Sequence, residues 1–127
     1  MSATDYVTGY QHIGIPTNDI EATKAFFLAL GFRQIYETEN NGRVIFYEHG
    51  PILIETYEKQ GQATGKRGAI DHVALEVKDL DKVIEEVKKT GYPIVEGPEF
   101  LPFWENGVRY IVVLGPDAEA VEFLQKF

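Results

Sequence analysis

The chain contains no cysteine among its 127 residues, which excludes disulfide bonds, thiolate zinc sites and cysteine nucleophiles. The lack of cysteine also fits a reducing compartment. The N-terminal segment "MSATDYVTGY" has neither a basic region nor an apolar run, so it does not resemble a signal peptide. No stretch approaches the ~20 apolar residues that a membrane helix needs. The sequence therefore predicts a cytoplasmic protein with no membrane partner.

Basic residues are scarce, with 12 Lys and Arg against 20 Asp and Glu and a formal net charge of -8. Binding to nucleic acid requires a basic surface that can neutralise phosphates, so this class of partner is excluded. Hydrophobic residues make up 44% of the chain, which is enough for a core without disulfide or metal support. The length predicts one domain spanning residues 1–127.

The chain contains an internal repeat with an offset of 60 residues. The segment "HIGIPTNDIEATKAFFLALGF" begins at His12, and "HVALEVKDLDKVIEEVKKTGY" begins at His72. The two segments align without a gap, and the second-last residue of each is a glycine, Gly31 or Gly91, suited to the left-handed end of a helix. The alignment of a histidine, an acidic helix start and a glycine indicates two related modules.

Each half begins with a short apolar strand followed by a helix. Asn18 or Asp19 in the first half and Asp79 in the second are predicted to cap that helix. Three strands separated by turn residues then follow, so the order βαβββ occurs twice. We predict module one at about 11–57, a glycine-rich linker at about 58–68 and module two at about 69–125. The segment 96–107 is predicted to be a loop that either covers a pocket or packs for stability.

The two histidines lie on the less apolar face of their strands. Side chains alternate across a strand, so His12 shares a face with Gly14, and His72 shares a face with Ala74. The bulky apolar residues of both strands face the other way, towards the predicted helix. The small neighbours leave space above the sheet beside each imidazole.

A glutamate occupies the corresponding face of the last strand in each module. Glu55 and Glu122 both lie opposite the apolar residues of their strands. The repeat therefore relates the pair His12 and Glu55 to the pair His72 and Glu122, although the second pair is separated by seven more residues than the first.

Two imidazoles and two carboxylates at equivalent positions form a plausible site for one divalent metal ion. Nitrogen and oxygen ligands suit zinc, nickel, cobalt, manganese or ferrous iron. Each residue alone has a simpler interpretation than a metal ligand. Strand histidines are often hydrogen-bonded structural residues, and glutamates near strand ends are usually solvated. The joint arrangement under the repeat favours a metal site. The third histidine, His49, lies in a predicted turn and is given no role.

The repeated modules and the segments "HIGIPTNDI", "LGF", "ILIE", "DHVALEVKDL" and "VEF" resemble the vicinal oxygen chelate superfamily. Within it the pattern is most similar to glyoxalase I (lactoylglutathione lyase). The resemblance implies an α+β fold in which two βαβββ modules form a cupped, barrel-like sheet. It also implies a small-molecule substrate and a homodimer, and it leaves open whether the ligands meet within one chain or across the dimer.

The resemblance assigns the metal ligands to His12, Glu55, His72 and Glu122, in the order found in glyoxalase I. Extradiol dioxygenases and fosfomycin-modifying enzymes use two histidines and one glutamate, so Glu55 favours the isomerase-like branch. Methylmalonyl-CoA epimerase usually has glutamine at that position, and bleomycin-binding members lack the ligands.

The implied activity is that of a metal-dependent lyase or isomerase that moves a proton through an enediolate intermediate. Glu122 is then the main catalytic base and Glu55 its partner on the other side of the substrate. One alternative is a metal-dependent epimerase or isomerase of a sugar or acyl-CoA. Another is a non-catalytic protein that binds a small molecule such as an antibiotic.

The sequence contains no convincing glutathione-binding set. Arg33, Arg43 and Arg109 are predicted as weaker candidates for binding a substrate carboxylate or phosphate, and Trp104 as a candidate for a pocket wall. The turn before the last strand reads "GPDA" at 115–118, where members of the superfamily often have Asp-Pro-Asp-Gly, so we expect an altered turn geometry there.

Overall fold

A computed structural model describes all residues from Met1 to Phe127. The chain forms the order βαβββ twice after a short N-terminal segment, which confirms the predicted α+β fold of repeated modules. The elements are a 3-10 helix (Ala3–Tyr6), β1 (Ile13–Thr17), α1 (Ile20–Ala29), β2 (Arg33–Glu39), β3 (Arg43–His49), β4 (Ile52–Glu58), β5 (Val73–Glu76), α2 (Leu80–Thr90), β6 (Ile94–Leu101), β7 (Val108–Leu114) and β8 (Ala120–Lys126).

Each module forms one four-stranded sheet, with strand orders β1-β4-β3-β2 and β5-β8-β7-β6. The first and last strands of each module are parallel neighbours, and the other neighbouring strands are antiparallel. The last strand of each module therefore lies between the first and the third. Side chains of the first and last strands that share a face must consequently lie close together.

The helices begin and end at the residues that the repeat predicts. Asp19 accepts a hydrogen bond from the Ala22 N–H, and Asp79 accepts one from the Lys82 N–H. Gly91 ends α2 with a φ of 81°, in the left-handed region that glycine adopts without steric cost. None of the helices is both long and apolar enough to cross a membrane.

Asn18, the other predicted cap, fastens the linker instead. Its side-chain oxygen accepts a hydrogen bond from the Gly61 N–H at 2.8 Å, and its amide nitrogen donates to the Ala63 carbonyl, also at 2.8 Å. The start of the linker is thereby held against the turn between β1 and α1.

The two modules share one hydrophobic core. Its 13 buried residues come from both helices and from the helix-covered faces of both sheets. The rings of Phe26 in α1 and Tyr92 after α2 meet edge to face with centroids 4.9 Å apart, so the contact crosses the boundary between modules. The opposite face of each sheet lies away from this core, and we call these two surfaces the open faces.

A buried polar cluster also joins the modules. The Thr23 hydroxyl donates to the Glu119 carboxylate at 2.6 Å, and the Thr17 hydroxyl donates to Asp117 at 2.9 Å. Asp117 also accepts a hydrogen bond from the Asn18 N–H at 2.8 Å. Since Thr17, Thr23 and Glu119 are buried, these bonds satisfy carboxylates that would otherwise be costly to bury.

The structure corrects the prediction for the segment 96–107. Its first part belongs to β6, which extends to Leu101, rather than to a loop. Gly97 and Pro98 are residue types that usually end a strand. Here a bulge in the pairing of β6 with β7 accommodates both residues, and pairing resumes at Glu99 opposite Tyr110. The loop proper is only the short connection from Pro102 to Gly107.

The "GPDA" turn keeps a backbone conformation that favours glycine even though it ends in alanine. Ala118 has a φ of 64°, and its N–H donates to the Gly115 carbonyl at 3.1 Å. An alanine in the left-handed region costs roughly 1–2 kcal/mol. The departure from the family pattern thus leaves strain in a turn that adjoins the buried cluster of Asp117 and Glu119.

We predict that Ala118→Gly raises the free energy of unfolding by about 0.5–1 kcal/mol, because it removes this strain at a smaller cost in chain entropy. Denaturant unfolding with an unchanged slope measures the effect. Ala69→Gly is the matched control, since Ala69 is exposed and its φ is not positive, and it should lower stability slightly. A lower stability for Ala118→Gly would contradict the prediction.

Candidate metal-binding site

The register of the parallel strands places one histidine and one glutamate together on each open face. In module one, Gly14 lies opposite Glu55, and His12 lies two residues before Gly14. In module two, Ala74 lies opposite Glu122, and His72 lies two residues before Ala74. The two modules therefore use the same register.

The imidazole and the carboxylate approach each other in both modules. His12 Nε2 lies 3.6 Å from Glu55 Oε1, and His72 Nε2 lies 3.3 Å from Glu122 Oε2. The glutamate side chains are 23% and 12% exposed, and no other residue donates a hydrogen bond to either one. Both carboxylates are partly buried, and a bound cation would compensate their negative charge.

These distances suit two ligands of one metal ion. Ligand atoms that are each about 2.1 Å from the ion and subtend roughly tetrahedral angles lie ~3.4 Å apart. A single copy of the chain nevertheless brings no group of three or more His, Asp or Glu side chains within reach of one ion. The structure therefore assembles the four predicted ligands as two separate pairs, and their role as one metal centre stays a prediction.

The residue before each histidine holds the other ring nitrogen. Asp71 accepts a hydrogen bond from His72 Nδ1 at 2.8 Å, and the Gln11 side-chain oxygen contacts His12 Nδ1. Metal-binding histidines commonly donate their second N–H in this way, which fixes the tautomer and frees the other nitrogen. Neither residue was predicted from the sequence, although the repeat does show a polar residue before each histidine.

Asp71 is itself held by an arginine of the linker. Arg67 Nη2 lies 2.5 Å from Asp71 Oδ2, and Arg67 Nη1 is paired with Glu96 of β6. The hydrogen bonds from His72 and Arg67 lower the pKa of Asp71, and those to Glu96 and Asp71 raise the pKa of Arg67. The carboxylate behind His72 is therefore ionised.

Two of the predicted substrate-binding arginines lie on the helix-covered side of their sheets. Arg43 pairs with Glu37 at 2.8 Å and approaches Glu21 of α1, while Arg109 lies 3.3 Å from Asp81 of α2. The hydrogen bond from Arg43 lowers the pKa of Glu37. Their placement gives no support to a role in substrate binding.

Arg33 and Trp104 lie at the margins of the modules. The Arg33 side chain is 76% exposed and pairs with Glu48 across β2 and β3. Trp104 is exposed and its ring lies 5.2 Å from Lys126 Nζ. Lys126 follows Glu122 by four residues on β8, or roughly 13 Å along the strand. The pocket wall predicted at Trp104 would therefore lie at the end of the open face that is far from Glu122.

The open faces differ in chemistry beyond the paired ligands. Module one presents aromatic rings, since Phe46 contacts the His12 ring at 5.5 Å and Tyr36 lies next to Phe46 at 6.0 Å. Module two presents carboxylates. Glu96 lies opposite Val112, which pairs with Glu122, so Glu96 shares the open face with Glu122. Glu99 accepts a hydrogen bond from the Tyr110 hydroxyl.

Comparison with known proteins identifies the family. Residues 11–111 match the family model described as the Glyoxalase/Bleomycin resistance protein/Dioxygenase superfamily. An uncharacterised Bacillus subtilis protein, YwbC, is 29% identical over 125 residues, which cover 91% of this chain and 95% of that protein.

Solved structures share the fold. A glyoxalase family protein from Enterococcus faecalis has a TM-score of 0.77 at 19% identity, covering 94% of this chain and 98% of its own. The fosfomycin resistance protein FosX from Listeria monocytogenes, in complex with Mn(II) and sulfate, has a TM-score of 0.71 at 20% identity, covering 95% and 94%.

The chain belongs to the Glyoxalase/Bleomycin resistance protein/Dioxygenase superfamily, the group also called vicinal oxygen chelate proteins, as its repeated segments indicated. The superfamily includes metal-dependent enzymes, so a divalent metal and an enzymatic activity fit the chain's family. The particular reaction is a separate question that its own residues must answer.

We predict that Gly14→Ala displaces Glu55 without unfolding the chain. A Cβ at this position would lie 2.9 Å from Glu55 Oε1, the mobile end of that side chain, and the backbone there has no positive φ. Titration of the purified Gly14→Ala variant with Mn(II) should show weaker metal binding than the same titration of wild type. Gly9→Ala is the matched control, because nothing lies within 4 Å of its Cβ. Equal affinity in both variants would contradict the proposed proximity of Glu55 to the ion.

Proposed function

We propose that the protein is a metal-dependent lyase or isomerase of the glyoxalase type, which moves a proton between neighbouring carbons of an oxygenated substrate. The observation that carries this proposal is the pair of one imidazole and one carboxylate that recurs at the same register in both modules. The proposed ligands are His12, Glu55, His72 and Glu122, with one nickel, zinc, cobalt, manganese or iron ion.

The donor set fits such an ion. Both pairs offer Nε2 of a histidine whose Nδ1 is already engaged, together with a carboxylate that accepts no hydrogen bond from the protein. When bound, a divalent ion supplies Lewis acidity that stabilises negative charge on two adjacent substrate oxygens. The Mn(II) in the Listeria protein concerns a relative at 20% identity and indicates only which ion to test first.

The carboxylates have distinct roles in the proposal. Glu122 removes the proton from one of the two oxygen-bearing carbons, and a proton returns to the adjacent carbon, which completes the isomerisation. Glu55 is the second acid–base group, on the opposite side of the substrate. Glu122 suits the base because its side chain is the more buried of the two, at 12% exposure, and has no competing hydrogen-bond donor.

A homodimer would complete the site. One copy offers one pair on each open face and cannot combine them. Two copies related by a twofold axis can place module one of each against module two of the other, which creates two identical sites. This arrangement also covers both open faces, whereas the helix-covered faces are already buried within each copy.

Mixing two inactive variants tests the shared site. One variant carries His12→Ala and Glu55→Ala, and the other carries His72→Ala and Glu122→Ala. After joint unfolding and refolding, random pairing gives about half heterodimers, each with one intact site of two, so about a quarter of wild-type activity should return. The homodimers serve as controls and should remain inactive. No recovered activity, with heterodimers demonstrated by mass, would contradict the shared site.

Glu122→Gln tests the proposed base. The amide keeps the shape of the side chain but cannot accept the proton, so kcat should fall by roughly 10²–10⁴-fold. Exchange of the substrate C–H for deuterium in D₂O, followed by NMR, measures the step. Glu99→Gln is the matched control, since Glu99 lies on the same sheet and bonds to the Tyr110 hydroxyl instead. Full exchange in Glu122→Gln would assign the base elsewhere.

The charges around the site favour an epimerase or isomerase of an uncharged sugar as the second candidate. All four arginines of the chain are engaged by carboxylates, and module two adds Glu96 and Glu99 to its open face. Glutathione, acyl-CoA and phosphonate substrates all bring negative charge, which the carboxylates of Glu96 and Glu99 repel. The exchange assay should therefore compare the methylglyoxal–glutathione adduct with neutral ketoses and with acyl-CoA thioesters. Exchange with only the adduct would remove the sugar candidate.

A further inference from the structure

Arg67 connects the linker, the edge of the second sheet and the histidine of module two. Its two terminal nitrogens engage different carboxylates, Glu96 on β6 and Asp71 two residues before the start of β5. Asp71 in turn accepts the hydrogen bond from His72 Nδ1, and His72 Nε2 faces Glu122 at 3.3 Å. A continuous series of polar contacts therefore runs from the sheet edge to the proposed metal ligands.

The contacts depend on the shape of the guanidinium group. Its rigid fork presents two nitrogens in fixed directions, so one side chain holds two carboxylates from different segments at a set separation. A lysine ammonium is a point charge and cannot reproduce that geometry. The Arg67 side chain is only 26% exposed, and its Nε is buried without a hydrogen-bond partner. A buried unpaired donor costs about 1–3 kcal/mol, so the placement of Arg67 Nε lowers the stability of the folded chain.

The support is present in one module only. In module one the corresponding acceptor is the neutral amide of Gln11, and no arginine lies behind it. In module two the acceptor is the side-chain carboxyl group of Asp71, which Arg67 Nη2 approaches at 2.5 Å. A fixed carboxylate behind an imidazole orients the ring and makes the free nitrogen a better ligand. The two histidines therefore occupy equivalent positions in the repeat, but only His72 is held by a carboxyl group that an arginine fixes in turn.

We propose that Arg67 is a positioning residue of the metal site, which acts through Asp71 to hold His72 with Nε2 directed at the ion. The metal-binding part of this inference rests on the proposed function. The contact series consists only of residues of this chain, so it can be tested separately from metal binding.

Metal affinity is the first test. Isothermal titration with Mn(II) alone should show roughly 10–100-fold weaker binding in Arg67→Gln than in wild type, the usual effect of losing support behind a metal-binding histidine. Arg67→Lys should fall between them. Arg43→Gln is the matched control, because Arg43 also joins two carboxylates, Glu37 and Glu21, but on the helix-covered face. Its affinity should match wild type.

A double-mutant cycle separates positioning from a general loss of stability. If Arg67 acts through Asp71, the double variant Arg67→Gln with Asp71→Asn should bind Mn(II) no more weakly than Asp71→Asn alone. Full additivity of the two losses would mean that Arg67 acts by another route, which overturns the proposal.

The tautomer of His72 in metal-free protein is the second test. The chain has three histidines, so long-range ¹H–¹⁵N spectra can resolve each ring at about pH 8.5, where unperturbed imidazoles are neutral. Wild type should show His72 protonated at Nδ1. Arg67→Gln should raise the Nε2–H population of His72 and leave His12 and His49 unchanged. An unchanged His72 spectrum would overturn the inference.

The two tests distinguish failure of the proposed metal function from failure of the proposed role of Arg67. If wild type binds no Mn(II), the proposed metal function fails, and the His72 spectrum alone decides whether Arg67 positions the ring. If wild type binds Mn(II) but Arg67→Gln binds it equally well with the same His72 tautomer, the proposed function stands and the role of Arg67 is wrong.

Discussion

The parallel pairing of the first and last strands of each module is the constraint on which the site depends. It places Glu55 beside Gly14 and Glu122 beside Ala74, with a histidine two residues before each small residue. A shift of one residue in either register would turn the carboxylate into the helix-covered core. Thr56 and Phe123, the next residues on those strands, are buried there and show what that face accepts.

The same pairing explains why the repeat survives a length difference. Phe46, which pairs with Glu55, lies 15 residues after Gly31, whereas Val112, which pairs with Glu122, lies 21 residues after Gly91. Most of the extra length is therefore accommodated in β6 and its connection to β7, at the edge of the sheet. The central strands keep their register, and with it the geometry of each pair.

Strand alternation and the internal repeat were sufficient to predict the order βαβββ in each half, a helix cap at Asp79 and at Asn18 or Asp19, and the face of each histidine and glutamate within its own strand, because those features depend on local periodicity. The arrangement of the two modules into one fold was instead implied by the resemblance to the superfamily. The role of Arg67 could not be predicted, since it depends on how a glycine-rich linker crosses the second sheet. The extent of β6 was also missed, because Gly97 and Pro98 usually mark a break and only the pairing with β7 shows a bulge.

The division of the site between two modules has a further consequence. The polar cluster of Thr17, Thr23 and Glu119 and the shared core fix the modules to one another through their helix-covered sides. These contacts set the relative position of the two open faces within one copy of the chain. In the proposed homodimer, the four ligands would therefore come together by docking of preformed pairs, which avoids the cost of ordering them on binding.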